Sequence, residues 1–181
     1  MLDLRIDRLQ HIAENIKEKM SKVPMLDSLK GHIELTMTHE GLRIELLEDS
    51  TAKFFESGRA VLSERGRVLV SLIGQTLAQD SNQVMVEGHT DARPYNGAAG
   101  YTNWELSADR ANAARRVLSE AGLSSNQVSE VRGFADKHLR YPGDPNDPRN
   151  RRVTITLLLD RSLGVGDLPA DSVKKVMERK R

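Results

Sequence analysis

The hydrophobic period changes several times along this chain, and the order of those changes restricts the fold more than any other feature. Leu2, Ile6, Leu9, Ala13, Ile16, Met20 and Val23 recur at spacings of 4, 3, 4, 3, 4 and 3, the rhythm of one helix face. Pro24 ends it. The period then drops to two: Ile33, Leu35 and Met37 alternate with polar residues, as do Leu42, Ile44 and Leu46, with His39, Glu40 and Gly41 between them. That pattern predicts a hairpin with one buried face. After "FFESGRAVL", Ser63 is placed to cap a helix running to Ala78, with Leu62, Leu69, Leu72, Ile73 and Leu77 as its apolar stripe. Residues 83–87 read as a short strand, 92–102 as a Gly-containing loop, and 103–120 as a helix that offers Trp104, Leu106, Ala111, Ala114 and Leu118 to one face and stops at Gly122. Residues 128–134 and 153–159 read as strands, separated by the Pro-rich loop "YPGDPNDPRN".

Helix, hairpin, helix, strand, helix, strand, strand is the order of an α+β fold: an α/β sandwich whose mixed sheet carries two helices on one face, with an N-terminal linker helix added. Residues 1–30 are accordingly expected to be linker helix and connector, 31–160 the folded domain, and 161–181 a polar, poorly ordered tail. The N-terminal rhythm admits two uses of equal weight. It is the seam of a coiled coil over about three heptads, or the apolar face of a helix docked on its own domain. No internal repeat is present.

Composition narrows the partners more than the fold. With 27 Lys and Arg against 26 Asp and Glu in 181 residues, no global field draws the chain to nucleic acid or to an anionic membrane, so recognition of charge must be local. The absence of cysteine excludes disulfides, Cys-containing zinc sites and thiol catalysis. "MLDLRIDRLQHIAENIK" mixes charged and apolar residues, unlike a signal peptide, and nowhere do about 18 apolar residues run together. The chain is expected to be soluble as given and to be a piece of something larger.

The stretch "VMVEGHTDARPYNG" ends a short apolar run on a Gly, then delivers His89 and Asp91 before Pro, Asn and Gly, which is how a chain presents polar groups at the end of a buried strand. Glu87, His89 and Asp91 alternate and could point one way, as a metal-dependent hydrolase would require. Against that, the histidines at 11, 32, 39, 89 and 138 form no HxH, HxxxH or HExxH pair, and no GxSxG, P-loop or GxGxxG occurs. No metal or cofactor is expected. Asp91 together with Arg110 on the following helix offers one fixed negative and one fixed positive charge, which suits a small zwitterion. The residues alone leave a plainer account open and favour it: Asp91 capping local amides and Arg110 in a surface ion pair.

"GHTD", "NWELSADRANAARRVL" and "NRRVTI" together resemble the OmpA-like peptidoglycan-binding domains, whose pattern is a Thr-Asp pair, then Asn, Leu and Arg-Ala on a helix, then Asn-Arg-Arg-Val on the last strand. "ARPYNGAAGYTNWELSADRA", with Pro94, Tyr95 and Trp104, is similar to the matching loop in the B subunits of bacterial flagellar stators. "FESGRA" resembles the family's F..GSA, with Arg59 where Ser is usual. The resemblance runs from Leu29 to Leu159. It implies a noncatalytic domain that grips the stem peptide of peptidoglycan, with Asp91 on the ammonium and Arg110 on the carboxylate of diaminopimelate. Thr90, Asn103, Leu106, Arg115 and Arg151 match pattern positions that line or support the groove. It also implies a homodimer, the periplasmic domain of an inner-membrane protein, joined to a stator A subunit through a transmembrane segment not recognisable in this sequence. An envelope anchor of the outer-membrane lipoprotein type is the second reading within the family.

Overall fold

Residues 2–159 are described by the computed structural model; the expectation for the tail, 161–181, falls outside them. The elements are α1 (Leu2–Ser21), β1 (Ile33–Met37), β2 (Gly41–Leu47), α2 (Glu64–Leu77), β3 (Val84–His89), α3 (Asn103–Glu120), β4 (Val128–Gly133) and β5 (Arg152–Leu158). The strands form one five-stranded sheet in the order β1-β2-β5-β3-β4. Only β3 and β4 run parallel; β1/β2, β2/β5 and β5/β3 are antiparallel. This is the expected mixed sheet of an α+β sandwich.

Alternation decides which side chains enter the core. Leu42, Ile44 and Leu46 of β2, Val84 and Val86 of β3, and Val153, Ile155 and Leu157 of β5 meet Leu69, Ile73 and Leu77 of α2 and Ala111, Ala114 and Leu118 of α3 in one apolar cluster. Ser63 caps α2, its hydroxyl accepting from Gly66 N at 3.1 Å. Thr102 and Glu105 form a reciprocal capping box on α3, the carboxylate of Glu105 accepting from Thr102 N at 2.7 Å.

Of the two uses open to the N-terminal rhythm, docking on the same domain is the one realised. Ile6, Leu9, Ile16 and Met20 are buried, and α1 packs on α2 and on the β1/β2 end of the sheet. Arg8 Nε lies 2.6 Å from Asp80 Oδ2, and Lys19 Nζ donates to Thr76 Oγ1 at 3.2 Å. The connector is not irregular: Pro24–His32 is a run of 3-10 helix that buries Leu26 and Leu29. Trp104 departs from its expected place on the apolar face of α3; it is 49% exposed, because the indole sits in the first turn, before the helix reaches the sheet-covering face formed by Ala111, Ala114 and Leu118.

Two glycines set how closely α3 approaches the sheet. A Cβ on Gly88 would stand 1.9 Å from Ser107 O, and one on Gly133 would stand 2.6 Å from Ala108 N. The Gly of "GHTD" is therefore a packing requirement. It lets the helix carrying Arg110 lie against the strand that leads to Asp91.

Candidate functional site

The segment after β3 is pinned on both sides. Thr90 N donates to Ala135 O at 2.8 Å and Ala92 N to Pro145 O at 2.9 Å, while the Thr90 hydroxyl donates to Asp91 O at 2.9 Å. Asp91 is thereby fixed with its carboxylate inward, 5% exposed. Its Oδ1 accepts from Arg93 N at 3.1 Å, and its Oδ2 accepts from Arg151 Nη1 at 2.7 Å. The expected local capping by Asp91 is real, but it occupies one oxygen only.

Arg110 is not on the surface. It is 5% exposed, with its guanidinium carbon 5.0 Å from the centre of the Phe55 ring and Nε donating to Arg59 O at 3.0 Å. Its Nη1 lies 3.6 Å from Glu48 Oε2, and Arg151 Nε lies 3.6 Å from that same oxygen. Asp91, Arg151, Glu48 and Arg110 thus form a chain of alternating charge. Burial pushes the Arg110 guanidinium below its ordinary pKa, and Glu48, with Asp91 more weakly, acts against that. The group remains a cation.

The two arginines of "NRRV" face opposite ways, as period two requires. Arg151 turns to Asp91, whereas Arg152 Nε lies 3.3 Å from Glu45 Oε1. Asn150 before them is fully buried and structural: Oδ1 accepts from Tyr141 N at 2.8 Å, and Nδ2 donates to Asp144 O at 3.0 Å and Pro145 O at 3.2 Å. It holds the loop whose Pro145 carbonyl receives Ala92.

The remaining expected positions divide. Asn103 Nδ2 donates to Arg93 O at 2.9 Å, closing the 92–102 loop on the start of α3, and Leu106 is buried one turn before Arg110. Arg115 stands apart; its Nε donates to Asn112 Oδ1 at 3.3 Å on its own helix, away from the charge chain. Tyr95 and Tyr101 pack at 5.4 Å, the Tyr95 hydroxyl donates to Gly58 O at 2.6 Å and that of Tyr101 to Asp109 Oδ2 at 2.9 Å. Burial and then the bond to Asp109 push the Tyr101 phenol up to about 12.

Glu87, His89 and Asp91 do not act together. Glu87 and His89 lie within β3 opposite Thr154 and Arg152; Glu87 Oε1 is 3.5 Å from Arg132 Nη1, and His89 stacks on Phe134. Among the described residues no three carboxylate or imidazole groups are placed to hold a metal ion.

Glu48 escaped the sequence reading. It is one acid in "ELLEDS", and nothing local separates it from Glu45 or Asp49.

Residues 54–153 match the OmpA family, the stretch that carries Asp91, Arg110 and Arg151. The chain belongs to the OmpA family. This OmpA-family chain is 36% identical to motility protein B of Escherichia coli (strain K12) over 152 residues, 83% of its own length and 49% of that protein's, so it spans about half the length of the curated relatives it matches. Its fold is that of the periplasmic domain of Helicobacter pylori MotB (residues 90–256), with a TM-score of 0.65 at 19% identity over 86% of this chain and 93% of that one. The cell wall anchor of the T6SS from Pseudomonas aeruginosa shares it too, at a TM-score of 0.62 and 24% identity over 76% and 96% of the two chains.

Proposed function

We propose that this chain is the wall-gripping part of a flagellar stator B subunit, a noncatalytic periplasmic anchor that seizes the diaminopimelate end of a peptidoglycan stem peptide between Asp91 and Arg110. The observation that carries this is a buried acid and a buried guanidinium held in one preset chain of alternating charge within an OmpA-family domain. Asp91 and Glu48 balance Arg110 and Arg151, so the site suits a ligand whose own charges cancel. An ammonium meets the unused acceptor capacity of Asp91, and a carboxylate meets the Nη donors of Arg110. Likeness to a motility protein over most of the chain favours the stator reading over an outer-membrane lipoprotein anchor. A metal-dependent hydrolase lacks a ligand set among the described residues.

In this reading the domain works as a homodimer, belongs to an inner-membrane protein, and meets a stator A subunit through a membrane segment outside this chain. Among the described residues no helix is long and apolar enough to cross a membrane. The test is sedimentation with purified sacculi. A hydrogen bond to a charged group is worth about 1.5–3 kcal/mol, so Asp91→Asn or Arg110→Ala should each weaken binding about ten- to a hundredfold. Circular dichroism should show both variants folded. Sedimentation of folded Asp91→Asn protein at the wild-type level would overturn the assignment.

A further inference from the structure

One buried acid in the site is explained neither by the motif pattern nor by the chemistry of a zwitterion. Glu48 follows β2, lies before the 54–153 family match, and is 5% exposed. A carboxylate so far from water persists only where its charge is matched. Its Oε1 accepts from Phe54 N at 3.2 Å and Phe55 N at 3.0 Å, which fixes the carboxylate plane. Its Oε2 stands 3.6 Å from both Arg110 Nη1 and Arg151 Nε. At that distance the contacts are Coulombic, not hydrogen bonds, and burial strengthens them. Two guanidiniums that repel each other are thus held either side of one anion. Arg151 reaches onward to Asp91.

We propose that Glu48 is a positioning residue for ligand binding, holding Arg110 turned to the ligand carboxylate and Arg151 turned to Asp91 without touching the ligand. This rests on the reading of Asp91 and Arg110 given above. Without the Glu48 charge, Arg110 loses its only carboxylate contact within 4 Å among the described residues. Arg151 keeps its 2.7 Å bond to Asp91, so the ammonium end of the site is left nearly as it was.

The experiment measures, by NMR shift titration of the whole 181-residue chain, the affinity for two soluble stem peptides: a diaminopimelate type and a lysine type, which lacks the side-chain carboxylate. The wild type should prefer the diaminopimelate peptide by about ten- to a hundredfold. Glu48→Gln keeps the size and can still accept from the Phe54 and Phe55 amides. It should reduce that preference to within about threefold, while affinity for the lysine peptide changes little. Glu48→Asp keeps the charge but draws it back, and should fold and show an intermediate preference; it decides the matter if Glu48→Gln does not fold. Full preference in the folded variant, or equal weakening toward both peptides, overturns the positioning role. A wild type without preference, or Arg110→Ala retaining it, instead overturns the underlying assignment of Arg110.

Discussion

His89, two residues before the candidate ligand acid, carries an imidazole that the fold keeps neutral. It is 4% exposed, stacks on Phe134 at 5.1 Å, and its Nδ1 has no hydrogen-bond partner among the described residues. Burial, with Arg152 next in weight, pushes its pKa down from 6.5 to about 3. Because the folded state resists the proton and the unfolded state accepts it, the contribution of His89 to stability is complete above about pH 6.5. It is lost as the pH falls toward about 3. The slope in that window is at most about 1.4 kcal/mol per pH unit. His89→Phe keeps the stacking and removes the titration, so urea melts at pH 7 and pH 4 should show a smaller loss for the variant than for the wild type. Equal losses would remove His89 as the source.

Helix α1 belongs to the energetics of the domain, since Leu9, Ile16 and Met20 are members of the same core cluster as the sheet. Ile16 is fully buried, and truncating such a residue leaves a cavity. Ile16→Ala should therefore lower stability by about 2–5 kcal/mol in a denaturant melt. Light scattering on the same variant should give an unchanged mass, because the seam is covered within one chain. An unchanged melt with an altered mass would instead mark the helix as an intermolecular coiled coil. The Arg8–Asp80 pair joins an exposed guanidinium to a buried carboxylate and ties the helix to the turn after α2.

For the molecule as a whole, one ammonium and one carboxylate contact give about 3–6 kcal/mol before ordering and desolvation are subtracted, so a single stem peptide should bind at about millimolar strength or slightly better. In the proposed anchoring role, one such contact would not hold the domain under load. Two linked domains on neighbouring stems make the second contact intramolecular and raise avidity about 10²- to 10⁴-fold. Dimerised protein should accordingly be retained on sacculi far better than monomer, while both bind a free diaminopimelate peptide equally weakly. Equal retention, or nanomolar binding of one free peptide, would count against paired anchoring.

The order and type of the α-helices and strands were legible in the sequence, since period two in Leu42, Ile44 and Leu46 and helical spacing in Leu69, Ile73 and Leu77 are local properties that the backbone imposes. The sequence also offered Asp91 and Arg110 as a charge pair, from a polar burst at a strand end and a cation on the next helix. The residues alone favoured local capping and a surface ion pair, and the family resemblance was needed to weigh them toward a ligand. Other features needed the tertiary structure. The rhythm of Ile6, Leu9 and Ile16 announces an apolar face but not its cover; the packing of α1 on α2 supplies that. "NRRV" says that its arginines diverge, but only the pairing of β5 between β2 and β3 decides which one faces Asp91. Glu48 is 43 residues from Asp91 and 62 from Arg110, and no local pattern distinguishes it from its acidic neighbours. Its role comes from burial beside two guanidiniums, a charge balance that exists only once the chain has closed around it.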